Sequence, residues 1–182
     1  MKRILIIGPG GSGKSTLSAM LGRRLAIPVI HMDALYWRPG WVEPERPDWQ
    51  ACVEALCQRE QWVMDGNYSG TLAQRLAACD TVIFLDLPRL LCLWGALWRG
   101  FRYRGRTRPD MAEGCPEQLP SLEFLGWIWN YPKRSRPKVL ELLEAHGQGR
   151  RIIRLRSRRE VRQFLLDVDK NAGTHALNCS GP

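Results

Sequence analysis

Residues 3–15 read Arg3-Ile-Leu-Ile-Ile-Gly-Pro-Gly-Gly-Ser-Gly-Lys-Ser15, a short apolar run that leads directly into a glycine-rich loop. From Gly8 to Ser15 the loop matches the pattern G-x-x-x-x-G-K-[ST] at every fixed position. Glycines allow backbone N–H groups to curl around a phosphate, and the N-terminus of a following helix adds partial positive charge. The sequence therefore predicts a nucleotide-binding loop between a strand and a helix, rather than an ordinary glycine-rich turn.

Three side chains of this loop have distinct expected roles. Lys14 is expected to reach the β- and γ-phosphates, and the Ser15 hydroxyl is expected to be a ligand for Mg²⁺. Thr16 is expected to cap or pack rather than to coordinate the metal. The residues predicted to hold the nucleotide, which we take to be ATP, are Gly8, Gly10, Gly11, Ser12, Gly13, Lys14, Ser15 and Thr16.

The charge balance of the chain points to phosphates. The 182 residues include 27 Lys and Arg against 18 Asp and Glu, which gives a net charge of +9. Arginine supplies most of the excess, and its guanidinium forms paired hydrogen bonds with phosphate. Composition alone does not decide whether those phosphates belong to a small nucleotide or to a nucleic acid.

The apolar runs and the cysteines indicate the compartment. Residues 4–7 are too few for an export segment, and residues 90–98 are about half of the roughly 20 that a membrane span needs. The six cysteines form no C-x-x-C pair and have no clustered histidine partners, so zinc is not expected. These features predict a cytoplasmic protein with reduced cysteines and no membrane partner.

Five short apolar runs are predicted to be buried strands: residues 3–7, 27–31, 62–65, 81–86 and 151–155. Stretches of helical period separate them, for example Trp49, Val53 and Leu56. This alternation is typical of a parallel sheet with helices on both faces. The predicted fold class is therefore α/β.

A single domain is predicted over residues 1–170. By resemblance to kinases with such a glycine-rich loop, residues 33–60 within it are expected to form the acceptor region. The long excursion over residues 88–149 contains an arginine- and glycine-rich segment, residues 99–120, which is expected to be a mobile lid over the carboxyl edge of the sheet. Small polar residues at 171–182 predict a disordered tail.

Carboxylates lie at the predicted ends of three strands, the edge at which open α/β sheets bind ligands. Asp65 is expected to hold Mg²⁺ through water or to orient an attacking hydroxyl, with a helix cap as the alternative. Asp86 is a second candidate for the metal, although the Leu-Pro that follows favours the N-cap of the next helix. Asp33 is either an acceptor-side carboxylate or an ordinary turn residue.

Five arginines lie in or at the start of the predicted lid with no acid between them: Arg99, Arg102, Arg104, Arg106 and Arg108. Arginines on a closing lid stabilise the charge that spreads over a transferring phosphoryl group. A solvated charged face is the common alternative for such a run. Arg99, Arg106 and Arg108 are the candidates for catalysis.

A second basic cluster surrounds the last predicted strand, over residues 150–159. By resemblance to kinases with such a glycine-rich loop, in which the segment after the last strand lies beside the nucleotide base, Arg156 to Arg158 are the candidates for packing against adenine, Arg156 first. Adjacent strand residues point to opposite faces, so the others are expected to be solvated or to contact a polyanion such as DNA.

Aromatic residues are concentrated in the predicted acceptor region. Tyr36, Trp37 and Trp41 are expected either to stack on an acceptor base or ring, or to pack. Trp49 falls on the apolar stripe of a predicted helix and is expected to belong to the core.

Several motifs together indicate a family. The loop from Gly8 to Ser15, Asp65-Gly-Asn-Tyr68 and the arginine-rich segment resemble the P-loop nucleoside and nucleotide kinases related to adenylate kinase. The chain most closely resembles the bacterial DNA topology modulation proteins when two further features are considered. These are Asp33 with Trp37 and Trp41, and the segment Arg106-Thr-Arg-Pro-Asp-Met111. The resemblance extends over residues 1 to about 170.

The resemblance implies a five-stranded parallel sheet in the order 2-3-1-4-5, an acceptor region between strands two and three, and a lid after strand four. It places Asp65 on the metal side of the site and matches Arg99 to an arginine that contacts the transferring phosphates. Gly95 stands where those kinases carry a second arginine, and Asn67 and Tyr68 replace an acceptor-binding segment. These departures disfavour a nucleoside monophosphate as the acceptor.

The sequence thus predicts an ATP- and Mg²⁺-dependent phosphotransferase for a small hydroxyl compound or a nucleoside. The alternatives are a nucleotide-dependent regulatory protein that binds DNA through its basic surface, and a simple ATP hydrolase. The predicted catalytic residues are Lys14, Asp33, Asp65, Arg99, Arg106 and Arg108, and the predicted metal ligands are Ser15 and Asp65.

Overall fold

A computed structural model describes the backbone of residues 1–178 and the side chains of residues 1–171. Five strands form one parallel sheet in the order β2-β3-β1-β4-β5. They are β1 (Arg3–Ile7), β2 (Val29–His31), β3 (Trp62–Asp65), β4 (Thr81–Leu85) and β5 (Arg151–Leu155). The predicted α/β fold and its strand order are confirmed.

Two strands are shorter than their predicted ranges. β2 begins at Val29, since Ala26 ends the preceding helix in a left-handed conformation with φ of 53°. The intervening Pro28 has no N–H to donate to a neighbouring strand. β4 ends at Leu85, so Asp86 follows the strand rather than closing it.

Eight helices surround the sheet in the part of the chain that the structure describes. They are α1 (Lys14–Leu25), α2 (Met32–Tyr36), α3 (Arg46–Cys57), α4 (Ser69–Ala78), α5 (Arg89–Arg102), α6 (Leu122–Arg134), α7 (Arg136–His146) and α8 (Arg158–Asn178). None of these helices is long and apolar enough to span a membrane. α8 continues past residue 171, where the sequence predicts a disordered tail, and residues 179–182 of that tail lie outside the described residues.

Apolar side chains fill both sides of the sheet. On one side α3, α4 and α7 pack against the strands, and on the other side α1 and α8 do so. The predicted stripe of Trp49, Val53 and Leu56 is buried in the first of these clusters. Because the core fixes the strands, the loops at their carboxyl ends are presented together at one edge.

Helix α5 contacts the glycine-rich loop through small residues. A Cβ on Gly95 would lie 2.2 Å from the Gly11 carbonyl oxygen, and a Cβ on Gly11 would lie 2.0 Å from that of Cys92. Since side chains would collide at this contact, the apolar stripe of α5 faces outward: Trp94 is 66% and Phe101 is 72% exposed. Helix α5 therefore packs directly against one side of the glycine-rich loop.

The loop between α5 and α6 lies against the turn that follows α2. The Gly40 N–H donates to the Gly114 carbonyl oxygen at 3.0 Å, and the Cys115 thiol donates to the Arg38 carbonyl oxygen at 3.1 Å. The predicted lid and the predicted acceptor region thus contact each other beside the glycine-rich loop.

Candidate active site

The glycine-rich loop has the shape that a phosphate requires. Gly11 and Gly13 have φ of 71° and 91°, in the left-handed region. Lys14 directly after them is the first residue of α1. The Ser12 hydroxyl is buried and has no hydrogen-bond partner among the described residues. The helix N-terminus at the end of this left-handed loop fits the phosphates of a nucleotide.

Lys14 is held within the loop by carbonyl groups. Its Nζ donates to the carbonyl oxygens of Gly8 at 3.0 Å and Pro9 at 3.1 Å. Burial lowers the pKa of Lys14, while Asp33 and Asp65 act in the opposite direction. Phosphate oxygens placed beside Nζ would stabilise the charged form of this side chain.

Asp65 joins three elements beneath the loop. His31 is its register partner on β2, and His31 Nδ1 lies 2.6 Å from Asp65 Oδ2. The Ser18 hydroxyl of α1 donates to the same oxygen at 2.6 Å. Burial acts to lower the pKa of His31, but the contact with Asp65 outweighs it and the pKa is raised. Asp65 does not cap α4, whose N-cap residue is Tyr68.

Asp33 lies in α2, just beyond the end of β2. The Tyr68 hydroxyl donates to Asp33 Oδ1 at 2.6 Å. Burial raises the pKa of Tyr68, and the neighbouring Asp33 carboxylate raises it further, so the phenol stays a hydrogen-bond donor at neutral pH. Asp33 is thereby held in one orientation.

The segment after β3 is fixed to the glycine-rich loop. The Asn67 side chain accepts from the Gly8 N–H at 3.0 Å and donates to the Gly8 carbonyl oxygen at 2.7 Å. Arg75 of α4 is fully buried and donates to the carbonyl oxygens of Gly66 at 2.8 Å and Tyr68 at 3.0 Å. Burial lowers the pKa of Arg75 to about 10.

Three positioning residues were not among the site residues predicted from the sequence. His31 is the last residue of β2 and Tyr68 lies three residues after the end of the adjacent β3, and that position was the available signal. The sequence signal for Arg75 was weaker: this residue lies between Leu72 and Leu76, which are buried on α4.

Two cavities meet at this edge of the sheet. The loop cavity, of about 510 Å³, is lined by residues of the glycine-rich loop such as Gly13 and Ser15. The aromatic cavity, of about 680 Å³, is lined among others by Trp37, Trp41, Tyr68, Phe124 and Trp127. Four junction residues line both cavities: Lys14, Asp33, Arg99 and Arg108. All four are residues that the sequence predicts to be catalytic.

Glu117 pairs with both junction arginines. Its Oε1 accepts from Arg99 Nε at 2.9 Å, and its Oε2 lies 2.6 Å from Arg108 Nε. Arg108 also pairs with Asp110 at 2.8 Å. The side chains of Glu117 and Arg108 are each 6% exposed. The predicted lid arginines are therefore anchored by an acid that lies later in the chain.

Glu117→Gln is expected to lower the free energy of unfolding by about 2 kcal/mol, because it removes the charge that pairs with Arg99 and with the buried Arg108, for which Asp110 compensates only in part. Urea denaturation followed by tryptophan fluorescence measures this loss. Glu113→Gln makes the same change at an exposed position of the same loop, and it is expected to cost less than about 0.5 kcal/mol. Equal effects of the two substitutions would contradict the anchoring role of Glu117.

The remaining predicted arginines lie elsewhere. Arg106 and Arg156 are exposed and line neither cavity. The Arg156 N–H donates to Glu160 Oε2 at 2.8 Å. Arg158 lines the loop cavity, and its Nη1 lies 3.6 Å from where a Cβ on Gly13 would be. The structure thus brings Arg158, rather than Arg156, to the glycine-rich loop.

Asp86 is neutralised by two arginines. Its carboxylate accepts from Arg136 Nε at 3.0 Å and from Arg154 Nε at 2.8 Å. The N-cap residue of α5 is Pro88, without a side-chain cap, so the expected capping role of Asp86 is wrong. The two ion pairs connect β4, α7 and β5 instead.

The oxygen atoms available for Mg²⁺ come from hydroxyl and carboxylate groups, which this hard cation prefers. Ser15, Thr16 and Asp33 line the loop cavity, whereas Asp65 is 3% exposed and lines neither cavity. Among the described residues no group of three or more His, Cys, Asp and Glu could hold a metal. The donors therefore fit an ion that takes its other ligands from phosphates and water.

Two solved structures share this fold. The chain matches shikimate kinase from Acinetobacter baumannii in complex with shikimate with a TM-score of 0.60 at 16% identity, covering 96% of this chain and 94% of that chain. Shikimate kinase from Bacteroides thetaiotaomicron gives a TM-score of 0.50 at 14% identity, with 93% and 96% covered. At such identities the likeness shows the fold, which is that of P-loop kinases.

No model of a known protein family matches the chain, and membership of the DNA topology modulation proteins stays a prediction. In sequence, the chain is 30% identical over 132 residues to the uncharacterized protein YqaC of Bacillus subtilis strain 168, covering 71% of this chain and 72% of that protein. Identity of this extent covers most of both proteins. The chain therefore belongs to the same family as YqaC of Bacillus subtilis.

Proposed function

We propose that this protein is an ATP-dependent phosphotransferase that acts on a small hydroxyl compound. One observation carries the proposal: the loop cavity and the aromatic cavity meet at Lys14, Asp33, Arg99 and Arg108. A kinase needs a nucleotide and an acceptor that approach each other at charged groups, away from bulk water. The fold shared with shikimate kinases supports the same class of reaction.

The loop cavity is the proposed nucleotide site. Backbone N–H groups within residues 10–15, after Pro9, and the Lys14 ammonium group would hold the β- and γ-phosphates. Ser15 would hold Mg²⁺, which when bound neutralises charge on the phosphates. Asp65 remains the proposed carboxylate on the metal side of the site, acting through water from its buried position. Arg158, in place of Arg156, is the proposed neighbour of the nucleotide.

The aromatic cavity is the proposed acceptor site. Asp33, held by the Tyr68 hydroxyl, would accept a hydrogen bond from the acceptor hydroxyl and orient its oxygen toward the γ-phosphate. Arg99 and Arg108 would stabilise the negative charge of the phosphoryl group during transfer. Their present partner, Glu117, keeps both guanidinium groups at the junction.

Acceptor-dependent release of ADP tests the proposal. Purified protein with ATP and Mg²⁺ is offered nucleosides, small alcohols, sugars and sugar acids, and a phosphorylated product is sought by mass spectrometry. At least one acceptor is expected to raise ADP release well above the rate with ATP alone. ADP release at one rate with every acceptor would contradict a kinase and leave a simple ATP hydrolase.

The alternative of a DNA-binding regulator depends on the basic surface. Several of the arginines around β5 have partners within the chain: Arg154 pairs with Asp86, and Arg150 donates to the carbonyl oxygens of Gln148 and Ala77. We therefore favour the kinase. In a mobility-shift titration of duplex DNA, we expect weak binding that does not respond to ATP. Tight, salt-sensitive binding that responds to ATP would favour the regulator.

A further inference from the structure

We propose that the aromatic cavity takes an uncharged, flat acceptor: an aromatic or heteroaromatic compound that carries a hydroxyl group. The indole N–H of Trp41 is the proposed specificity-determining donor. This inference rests on the proposed phosphotransferase function and narrows its acceptor to one chemical class.

The charges around the cavity favour a neutral acceptor. Among the described residues that line it, Glu117 is the one charged side chain outside the junction. Arg99 and Arg108 neutralise Glu117, and the junction cations also face the loop cavity, where the phosphates are proposed to bind. An acceptor with its own phosphate or carboxylate would bring a negative charge to a site whose arginines are already paired with Glu117 and whose Lys14 is the proposed partner of the nucleotide phosphates.

The shape of the lining favours a flat ring. Trp37 and Trp41, from the turn after α2, pack edge to face with ring centroids 5.4 Å apart. Phe124 and Trp127, from α6, are stacked at 5.7 Å. Aromatic groups from two separate elements thus line one space of about 680 Å³, the size of a small-molecule site. A flat ring gains contact with such surfaces, whereas a polyol would lose hydrogen bonds to water.

Trp41 supplies the polar contact. Its indole nitrogen is buried and has no hydrogen-bond partner within the described residues. Its φ of 64° lies in the left-handed region, which tryptophan rarely adopts. The turn is held by hydrogen bonds from the Arg38 N–H to the Val42 carbonyl oxygen at 2.9 Å and from the Trp41 N–H to the Arg38 carbonyl oxygen at 3.0 Å.

The indole N–H is covered in this structure, so a ligand atom would reach it only after a small shift of the Trp41 ring. Because the donor has no partner within the described residues to lose, an acceptor atom in the cavity would stabilise the shifted ring. Ring nitrogens and carbonyl oxygens of heteroaromatic compounds are such acceptors. A site built to donate this bond discriminates against ligands that lack the acceptor atom. Trp41 is therefore placed to select among flat rings as well as to pack against them.

Calorimetric binding tests the acceptor class directly. The protein is saturated with Mg²⁺ and a non-hydrolysable ATP analogue, and then titrated with three groups of probes. Adenosine, thymidine and pyridoxine represent neutral flat rings, ribose and shikimate represent non-aromatic hydroxyl compounds, and AMP represents a charged acceptor. At least one flat neutral probe is expected to bind about tenfold or more tightly than every probe of the other groups.

Two matched substitutions test the role of Trp41. Trp41→Phe keeps an aromatic ring and removes the N–H, so the Kd of the best flat probe is expected to rise about tenfold, the effect of one lost hydrogen bond. Trp129→Phe is the control, since Trp129 is 44% exposed on α6, lies under Arg89 and does not line the cavity. Equal Kd values for the two variants would overturn the role of Trp41.

The outcomes separate this inference from the proposed function. Tighter binding of ribose, shikimate or AMP than of every flat probe, or no binding of any flat probe, overturns the inference whether or not ADP is released. Binding of a flat probe without ADP release supports the inference and contradicts the phosphotransferase. ADP release with a polyol and with no flat probe contradicts this inference and supports the phosphotransferase.

Discussion

Lys14→Ala is expected to lower kcat/KM for ATP by on the order of 10³-fold, because the variant lacks the one ammonium group of the loop that stabilises charge on the transferring phosphoryl group. In the structure Nζ is held by the Gly8 and Pro9 carbonyl oxygens at 3.0 and 3.1 Å. Those bonds are weaker than bonds to a charged phosphate, so the side chain can exchange them when a nucleotide enters.

Nucleotide binding gives a second readout of the same substitution. A ligand at 100 times its Kd stabilises a protein by about 2.7 kcal/mol, which raises the melting temperature. We expect ATP with Mg²⁺ to stabilise the native protein and not the Lys14→Ala variant. Lys138→Ala, which removes an exposed lysine of α7, is the matched control and should retain the response. Full stabilisation of the Lys14→Ala variant would contradict the nucleotide site.

The fold could be predicted because its signals are local. The apolar run of β1 and the loop from Gly8 to Ser15 are consecutive in sequence, so the strand, the turn and the helix start follow from one stretch. The other strands are short apolar runs of the same kind. The junction residues Lys14 and Asp33 could be predicted for the same reason, since Lys14 is a fixed position of the loop motif and Asp33 lies two residues after the end of β2.

The outward stripe of α5 could not be predicted from periodicity. A run of large apolar residues at helical spacing looks the same whether it faces the core or the solvent. The close contact between Gly95 and Gly11 decides the question, and it joins two elements that are far apart in the sequence. The close contact with the loop leaves no room for side chains on that face of α5. Trp94 therefore faces the solvent, although burial of its ring would be favourable.

The sequence also could not show which of the lid arginines reach the junction. Arg106 and Arg108 are two residues apart, yet one is exposed and the other is 6% exposed in a pair with Glu117. Only the folded loop brings Glu117 to Arg99 and Arg108. Charge spacing identified the segment that carries the arginines proposed for catalysis, whereas a long-range ion pair selects the members that reach the junction.

Asp33→Asn is expected to lower kcat by roughly 10³-fold, within the range of about 10² to 10⁴ for loss of a general base, while the KM for ATP changes little. The amide keeps an oxygen that can accept the Tyr68 hydroxyl, so the local structure is expected to persist. What is lost is the negative charge that orients and polarises the acceptor hydroxyl. Steady-state kinetics with a confirmed acceptor measures the change, and a variant that retains a tenth of the kcat would contradict the role of Asp33.

Tyr68→Phe separates orientation from charge at the same carboxylate. It removes the hydroxyl that lies 2.6 Å from Asp33 Oδ1 and keeps the ring, so we expect a smaller loss of kcat, of about tenfold. If Tyr68 acts through Asp33, the kcat of the double variant should be no lower than that of Asp33→Asn alone. The orientation of side chain 33 has no effect on kcat once its negative charge is removed. Losses that multiply in the double variant would show that Tyr68 acts on the acceptor independently.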